Sequence, residues 1–133
     1  MSSTSETFFT SIGCMDGRVQ EPVFVFGRNK FGVKYADTIT EAGLVGLFAK
    51  KDIDEDLLNS LKNKIFISLA KHHSKGIVVH GHAECAGNPV EDRKHKEDVQ
   101  KSVKLIKSFV PHDIPVLPVF VERGNEGWKV EPL

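Results

Sequence analysis

Residues 76–85, GIVVHGHAEC, join a short β-branched run to a turn rich in side chains that bind metals. The run predicts a buried strand, and His82 and Cys85 follow it within one short turn. Residues 8–19, FFTSIGCMDGRV, have the same form, with an apolar run followed by a cysteine and charged side chains. The predicted strands along the chain are 8–12, 35–39, 77–79, 116–121 and 128–130.

A first helix is predicted from about residue 53 to 74 by the spacing of its apolar residues. Asp52 and Glu55 resemble a capping box at its start, and Gly76 supplies a stop after its end. The predicted apolar face consists of Ile53, Leu57, Leu58, Leu61, Ile65, Phe66 and Leu69.

A second helix is predicted to begin with Asn88 as its N-cap and Pro89 at its first position, and to end before Pro111. Its charged first half, EDRKHKED, is equally consistent with a loop. Its apolar stripe consists of Val99, Val103 and Ile106.

Strands that alternate with helices require crossover connections, which produce a parallel sheet covered on both faces. We therefore predict an α/β fold in a single domain spanning residues 1–133. Its central sheet is expected to be mostly parallel, with about four parallel strands and a C-terminal edge strand. Because proline lacks an N–H group, Pro118 predicts that its strand lies at an edge or contains a bulge.

The composition restricts the class of protein. A chain of 133 residues, 40% hydrophobic and 27% charged, is sufficient for one modest core. Eighteen basic and eighteen acidic side chains cancel, so no net field favours nucleic acid or an anionic membrane as a partner. The N-terminal MSSTSETFF has no basic or sustained apolar stretch, and no apolar run approaches the ~18 residues of a membrane span. We predict a soluble, cytoplasmic protein whose two cysteines are too few for a disulfide framework.

Two cysteines and a histidine follow the carboxyl ends of two predicted strands. Cys14 comes just after the first strand, and His82 and Cys85 form an H-x-x-C pair after the third. Ligands bind at this edge of parallel sheets, and two thiolates with one imidazole suit zinc and leave its fourth position open. The alternative is that both cysteines are ordinary buried thiols and His82 is a loop histidine. The shared position at strand ends favours a catalytic metal site.

Asp16 and Arg18 follow Cys14 at alternate positions. If residues 14–18 are extended, all three side chains share one face. A carboxylate beside a metal-bound water can accept its proton in a hydrogen bond, and a bidentate pair with Arg18 keeps that carboxylate ionised. The alternative is a surface ion pair worth less than ~1 kcal/mol.

The two motifs together resemble the signatures of the β-class carbonic anhydrases. CMDGRV at 14–19 is similar to the family's C-x-D-S-R-V segment, and VVHGHAECAG at 78–87 is similar to its G-H-x-x-C-G segment. The resemblance extends from about Ser11 to Val130. It implies a parallel sheet with helical flanks, a homodimer or higher homo-oligomer, and a zinc-dependent lyase. The implied reaction is the reversible hydration of carbon dioxide to bicarbonate by a zinc-bound hydroxide.

Carried over residue by residue, the resemblance also implies the site. Cys14, His82 and Cys85 match the ligands of one Zn²⁺ per chain, and Asp16 and Arg18 match the family's aspartate–arginine dyad. The expected substrate-binding positions are Gly17, Gly43 and Gly87.

The chain departs from the family pattern at three positions. Gly17 stands where the family has serine, TEAG at 40–43 replaces the usual R-N-A-G and introduces Glu41, and Ala86 replaces one of two paired glycines. Relatives that hydrolyse carbonyl sulfide or carbon disulfide share the scaffold and the zinc site, so this activity is an alternative. A zinc-binding or regulatory module that has lost activity is another, favoured by Gly17 and Glu41. A zinc nucleobase deaminase is disfavoured, because the HAE triplet has no P-C-x-x-C after it.

The remaining histidines are predicted to lie outside the metal site. The pair at 72–73 falls in the last turn of the first long helix, where positive charge is favourable. His80 is predicted to pack on the opposite face of its strand from His82, and His95 and His112 are predicted to face solvent.

Overall fold

The structure, a computed structural model, describes residues 6–133. Its elements are β1 (Phe8–Gly13), α1 (Gly17–Phe31), β2 (Tyr35–Thr40), α2 (Leu44–Phe48), α3 (Glu55–Lys71), β3 (Ile77–His82), α4 (Asp92–Lys107), β4 (Val116–Gly124) and β5 (Gly127–Pro132). They build one five-stranded sheet with the order β2-β1-β3-β4-β5, in which only β5 is antiparallel to its neighbour. The predicted α/β class, the mostly parallel sheet and the C-terminal edge strand are confirmed. Within the described part of the chain, no helix has the length and apolarity needed to cross a bilayer.

Helices cover both faces of the sheet, and each face has its own core. α1 packs on one face, where Phe9, Val23 and Val119 are fully buried. α2, α3 and α4 cover the other face, where Ile12 and Val79 are fully buried. Because both faces are covered, side chains on both faces of β1 and β3 are buried, and neither strand alternates between buried and exposed positions.

The direction of the strand order reverses between β1 and β3. The chain leaves β1 for β2 on one side and later returns to β3 on the other side. In parallel sheets such a reversal opens a crevice at the carboxyl ends of the two strands, where ligands bind. The segments that follow Gly13 and His82 therefore meet at this crevice.

The condition that residues 14–18 are extended is not met, because α1 begins at Gly17. Asp16 is the N-cap of this helix, and its Oδ1 accepts a hydrogen bond from the Arg18 N–H at 2.9 Å. A carboxylate at this position satisfies an N–H group that the first helical turn leaves free.

The first long helix, α3, is shorter than predicted at both ends. Its N-cap is Asp54 rather than Asp52, and Asp54 Oδ1 accepts a hydrogen bond from the Leu57 N–H at 2.9 Å. The helix ends at Lys71 rather than near 74, because His73 has a left-handed φ of 53°. Both ends of α3 are therefore set by the backbone conformation at its caps, which the spacing of apolar residues does not determine.

The second long helix, α4, begins at Asp92 rather than at 88–89, and its charged first half is helical. His95 and Asp98 in that half are 2% and 1% exposed, so the prediction that His95 faces solvent is wrong. Phe66 of α3 shows the opposite error, since it is 62% exposed although it belongs to the predicted apolar face. Tertiary packing, not hydropathy alone, selects the buried side of each helix.

The prediction that Pro118 marks an edge or a bulge is also wrong, because β4 has a neighbour on each side. Pro118 pairs with Val79 of β3, and its carbonyl accepts a hydrogen bond from the Leu133 N–H at 3.0 Å. Within a strand the N–H and C=O of one residue point the same way. The missing N–H therefore faces away from β3 and removes no bond from that ladder.

A chain of buried hydroxyl groups ties α3 to β1 and β2. Thr10 Oγ1 lies 2.7 Å from Ser68 Oγ and 2.8 Å from Ser74 Oγ. Ser68 Oγ in turn donates to Asp37 Oδ2 at 2.7 Å, and the same oxygen lies 2.8 Å from His72 Nδ1. Because the partners belong to different elements, these bonds orient α3 on the sheet.

Ser68→Ala is expected to lower the free energy of unfolding by about 1–3 kcal/mol, because Asp37 and Thr10 each lose a hydrogen-bond partner. Urea unfolding followed by circular dichroism measures this change. Ser60→Ala, at an exposed position of the same helix, is the control and is expected to change stability by less than about 0.5 kcal/mol. Equal effects of the two variants would show that the hydroxyl chain adds no stability.

Candidate metal centre

The three predicted metal ligands meet at the carboxyl edge of the sheet. Cys14 follows β1, His82 is the last residue of β3, and Cys85 lies in the turn after it. Their ligand atoms all lie within 4.8 Å of one another, and the two sulfur atoms are 3.7 Å apart. All three residues are buried. They form one cluster around a common point.

The geometry of this cluster fits a tetrahedral metal ion. Two thiolates each about 2.3 Å from such an ion are about 3.7–3.8 Å apart, which agrees with the observed sulfur separation. His82 Nδ1 donates to the Ala83 carbonyl oxygen at 2.7 Å, which leaves Nε2 for a metal. That Nε2 is buried and has no hydrogen-bond partner among residues 6–133. A buried nitrogen without a partner is costly unless it binds something, so the cluster has the properties of a metal site.

Neighbouring groups favour the thiolate form of Cys14. Burial opposes its ionisation, but the adjacent His82 imidazole and the Gly43 N–H, which is 3.4 Å from Sγ, outweigh burial and lower the pKa of Cys14 to about 7. Burial and the nearby charge of Cys14 raise the pKa of Cys85. A cation at the shared point would relieve this repulsion and favour both thiolates.

Asp16 and Arg18 form a bidentate ion pair beside the cluster. Arg18 Nε donates to Asp16 Oδ1 at 3.0 Å, and Nη2 donates to Oδ2 at 2.7 Å. These hydrogen bonds outweigh partial burial and lower the pKa of Asp16 to about 2, so this carboxylate is ionised at neutral pH. Asp16 Oδ2 also lies 4.0 Å from His82 Nε2. The carboxylate therefore lies beside the ligand atoms, as predicted, although a helix N-cap and not an extended segment brings it there.

Two of the three glycines predicted to bind substrate pack against each other beside the cluster. Gly43 has a left-handed φ of 64°, and a Cβ atom there would lie 2.4 Å from the carbonyl carbon of Gly87. A Cβ atom at Gly87 would lie 2.6 Å from the carbonyl carbon of Ala42. At Gly17, by contrast, no described heavy atom beyond its chain neighbours and the backbone of its own helix lies within 4 Å of the Cβ position. Gly43 and Gly87 thus allow the loop after β2, whose Gly43 N–H contacts Cys14 Sγ, to touch the loop that carries Cys85, and their contact with substrate stays a prediction.

Gly43→Ala is expected to weaken metal binding by about 10- to 100-fold, because the new methyl group pushes the loop after β2, whose Gly43 N–H bonds Cys14 Sγ, away from the loop that carries Cys85. Competition with a chromophoric chelator measures the affinity. Gly17→Ala is the matched control, since the space around it is open. It is expected to retain the metal and to raise stability by up to about 1 kcal/mol, because alanine favours the helix. Unchanged affinity in Gly43→Ala would contradict a role for this close contact.

Three residues beside the ion pair are not signalled by the sequence motifs. Glu84 lies in the turn after β3, with its Oε1 3.4 Å from Arg18 Nη1 and its Oε2 2.6 Å from Arg123 Nε. The Trp128 ring lies 4.8 Å from the Arg18 guanidinium carbon and 6.4 Å from the His82 ring. Only Glu84 could have been found from the sequence, because it is an acidic residue between two predicted metal ligands. Arg123 and Trp128 lie in β4 and β5, far from the motifs along the chain.

Two further buried histidines flank His82. His80 lies on the same face of β3 as His82, not on the opposite face as predicted, because side chains two residues apart in a strand point the same way. Its ring leaves no room for a Cβ atom at Gly13, and the ring of His95 leaves none at Gly81. Burial lowers the pKa of both His80 and His95 to about 4, so both are neutral at neutral pH. The predicted packing role of His80 is confirmed.

Comparison with solved structures shows which proteins share this fold. The β-carbonic anhydrase CafA of the fungal pathogen Aspergillus fumigatus superposes with a TM-score of 0.62 at 15% identity, covering 97% of this chain and 76% of that one. A carbonic anhydrase from Streptococcus mutans gives 0.59 at 19% identity, with 99% and 86% covered. A tetrameric β-carbonic anhydrase from the filamentous ascomycete Sordaria macrospora gives 0.63 at 16% identity, with 97% and 81% covered.

Comparison of sequences gives the family. No curated protein matches the chain significantly. The family model described as "Putative carbonic anhydrase" matches residues 4–133, which is nearly the whole chain. This match agrees with the shared fold and with the two motifs that carry the candidate site. The chain therefore belongs to the β-class carbonic anhydrase family, as a divergent member.

Proposed function

We propose that this chain is a zinc-dependent lyase that interconverts carbon dioxide and bicarbonate. The observation that carries the proposal is the convergence of Cys14, His82 and Cys85 within 4.8 Å in a member of the carbonic anhydrase family. Two thiolates and an imidazole are ligands that zinc prefers, and three protein ligands leave one position for the reaction. We propose one Zn²⁺ per chain at this point.

The roles of the chain's own residues follow from their positions. Zinc held there would act as a Lewis acid and make hydroxide available near neutral pH. Asp16 Oδ2 is proposed to accept a hydrogen bond from this nucleophile and to direct its lone pair toward the carbon of carbon dioxide. Arg18, bonded to both oxygens of Asp16, keeps the carboxylate ionised and restricts its rotation.

We also propose that residues 1–133 act as one domain.

We further propose that the chain assembles as a homodimer or higher homo-oligomer. The Sordaria macrospora relatives are tetrameric, which supports assembly. An apolar residue of α1, Val25, is 47% exposed and would be covered in such an assembly. Light scattering during size exclusion measures the oligomeric state, and a monomer at every concentration would contradict the proposal.

Stopped-flow hydration of carbon dioxide between about pH 6.5 and 9, on protein of known zinc content, tests the proposed reaction. The rate is expected to rise with pH through one ionisation, because hydroxide is the nucleophile, and to scale with bound zinc. Protein with zinc fully bound and no hydration activity would overturn the proposal. The same protein would then be assayed for hydrolysis of carbonyl sulfide and carbon disulfide, and inactivity there would favour a zinc-binding or regulatory module.

A further inference from the structure

Glu84 occupies a strained position inside the metal-binding turn. It lies between His82 and Cys85 and has a left-handed φ of 59°, which residues other than glycine rarely adopt. Its side chain is 49% exposed, so burial does not hold it in place. Contacts with two arginines remain as the interactions that hold this residue.

The first of these contacts is with the outer edge of the Arg18 guanidinium. Nε and Nη2 of Arg18 face Asp16, as described above. Nη1 lies 3.4 Å from Glu84 Oε1, and Nη2 also donates to the Glu84 carbonyl oxygen at 3.2 Å. A planar guanidinium that is bonded on both edges cannot rotate without breaking the contacts on one of them.

The second contact joins Glu84 to the β4–β5 hairpin. Arg123 Nε donates to Glu84 Oε2 at 2.6 Å, and Nη2 donates to Oε1 at 3.0 Å. The guanidinium carbons of Arg18 and Arg123 both lie over the ring of Trp128, at 4.8 and 4.7 Å from its centroid. A continuous chain of contacts thus runs from the hairpin through Glu84 and Arg18 to Asp16.

We propose that Glu84 and Arg123 are positioning residues for the Asp16–Arg18 pair. The Arg18 guanidinium keeps a single orientation, because its edges are hydrogen-bonded and one face is stacked on Trp128. The Asp16 carboxylate, which is bonded to Arg18, therefore keeps a single orientation too. Gly17, between the two, has no side chain to supply this restraint. The inference rests on the proposed function, because it assigns Glu84 and Arg123 to that reaction.

The test follows the Arg18 guanidinium directly, by NMR measurement of the exchange of its Nε–H with water in the zinc-loaded full chain. In Glu84→Gln the exchange rate is expected to rise about tenfold and kcat to fall about tenfold, while KM changes less than about twofold and zinc stays bound. Arg123→Ala is expected to give similar changes. The double variant is expected to lose about tenfold rather than about a hundredfold in kcat, because both residues act through one contact.

Arg93→Ala is the matched control, because Arg93 is also an exposed arginine paired with glutamates, Glu91 and Glu97. It is expected to change neither the Arg18 exchange rate nor kcat. Unchanged Arg18 exchange in Glu84→Gln and Arg123→Ala would overturn the inference, and so would faster exchange with unaltered kcat. A zinc-loaded wild type without hydration activity would refute the proposed function instead, while the exchange rates would still decide whether Glu84 and Arg123 orient Arg18.

Discussion

Cys85→Ala is expected to weaken zinc binding by about 10²- to 10³-fold and to abolish hydration activity at ordinary zinc concentrations. Structural zinc sites in small peptides bind with roughly 10–16 kcal/mol, and by the same scale the loss of one ligand here is expected to cost about 3–4 kcal/mol. Cys85 is suited to a test of the ligand set for two reasons. Its sulfur lies 3.7 Å from that of Cys14, and its side chain belongs to neither hydrophobic core cluster. Elemental analysis after dialysis and competition with a chelator measure the change.

The control for this experiment is His112→Ala. His112 is exposed, as the sequence predicts, and lies outside the ligand cluster. It is expected to retain one zinc per chain at unaltered affinity. If Cys85→Ala bound zinc as tightly as this control, Cys85 would have to be removed from the proposed ligand set.

Asp16→Asn is expected to lower kcat by about 10²- to 10⁴-fold while zinc stays bound, because the amide is a weaker acceptor and carries no charge to orient the nucleophile. Asparagine caps helices as well as aspartate does, so α1 is expected to keep its start, and the loss of the half-exposed ion pair with Arg18 is expected to lower stability only slightly. Metal analysis, urea unfolding and stopped-flow kinetics on one preparation separate these effects.

Asp54→Asn is the matched control for this substitution. Asp54 is also an aspartate N-cap, and its Oδ1 bonds the Leu57 N–H of α3 as Asp16 Oδ1 bonds the Arg18 N–H of α1. The two variants thus make the same chemical change at the same kind of position, and only Asp16 lies beside the ligand cluster. Full activity in Asp16→Asn would remove the aspartate–arginine pair from the proposed mechanism.

The candidate metal cluster is predictable from sequence because its residues lie at or just after the carboxyl ends of two runs that predict strands. Parallel strands bring their carboxyl ends to one edge, so Cys14 and His82 had to lie near each other once the strands were recognised. The proximity of Asp16 to this edge is also predictable. The reason is not the alternation of side chains along an extended segment. An aspartate two residues after a strand can cap the following helix, and the cap geometry turns its carboxylate toward the site.

The errors in predicted burial share one physical cause. His95 and Asp98 lie in a stretch so polar that its sequence indicates a loop or a solvated face, yet both are buried. Phe66 fits an apolar stripe, yet it is exposed. Local patterns describe what a segment prefers by itself, whereas burial depends on which neighbours cover it.

By itself, the sequence determined a mostly parallel α/β sheet with two cysteines and a histidine at one edge, because strand formation and strand direction follow from local runs and their helical separators. Only the tertiary structure decided what surrounds that edge. The contact of Glu84 with Arg123 spans 39 residues, and Trp128 of the edge strand β5 reaches Arg18 at the start of α1. No local sequence pattern predicts these contacts, because they depend on how all five strands and the helices between them pack together.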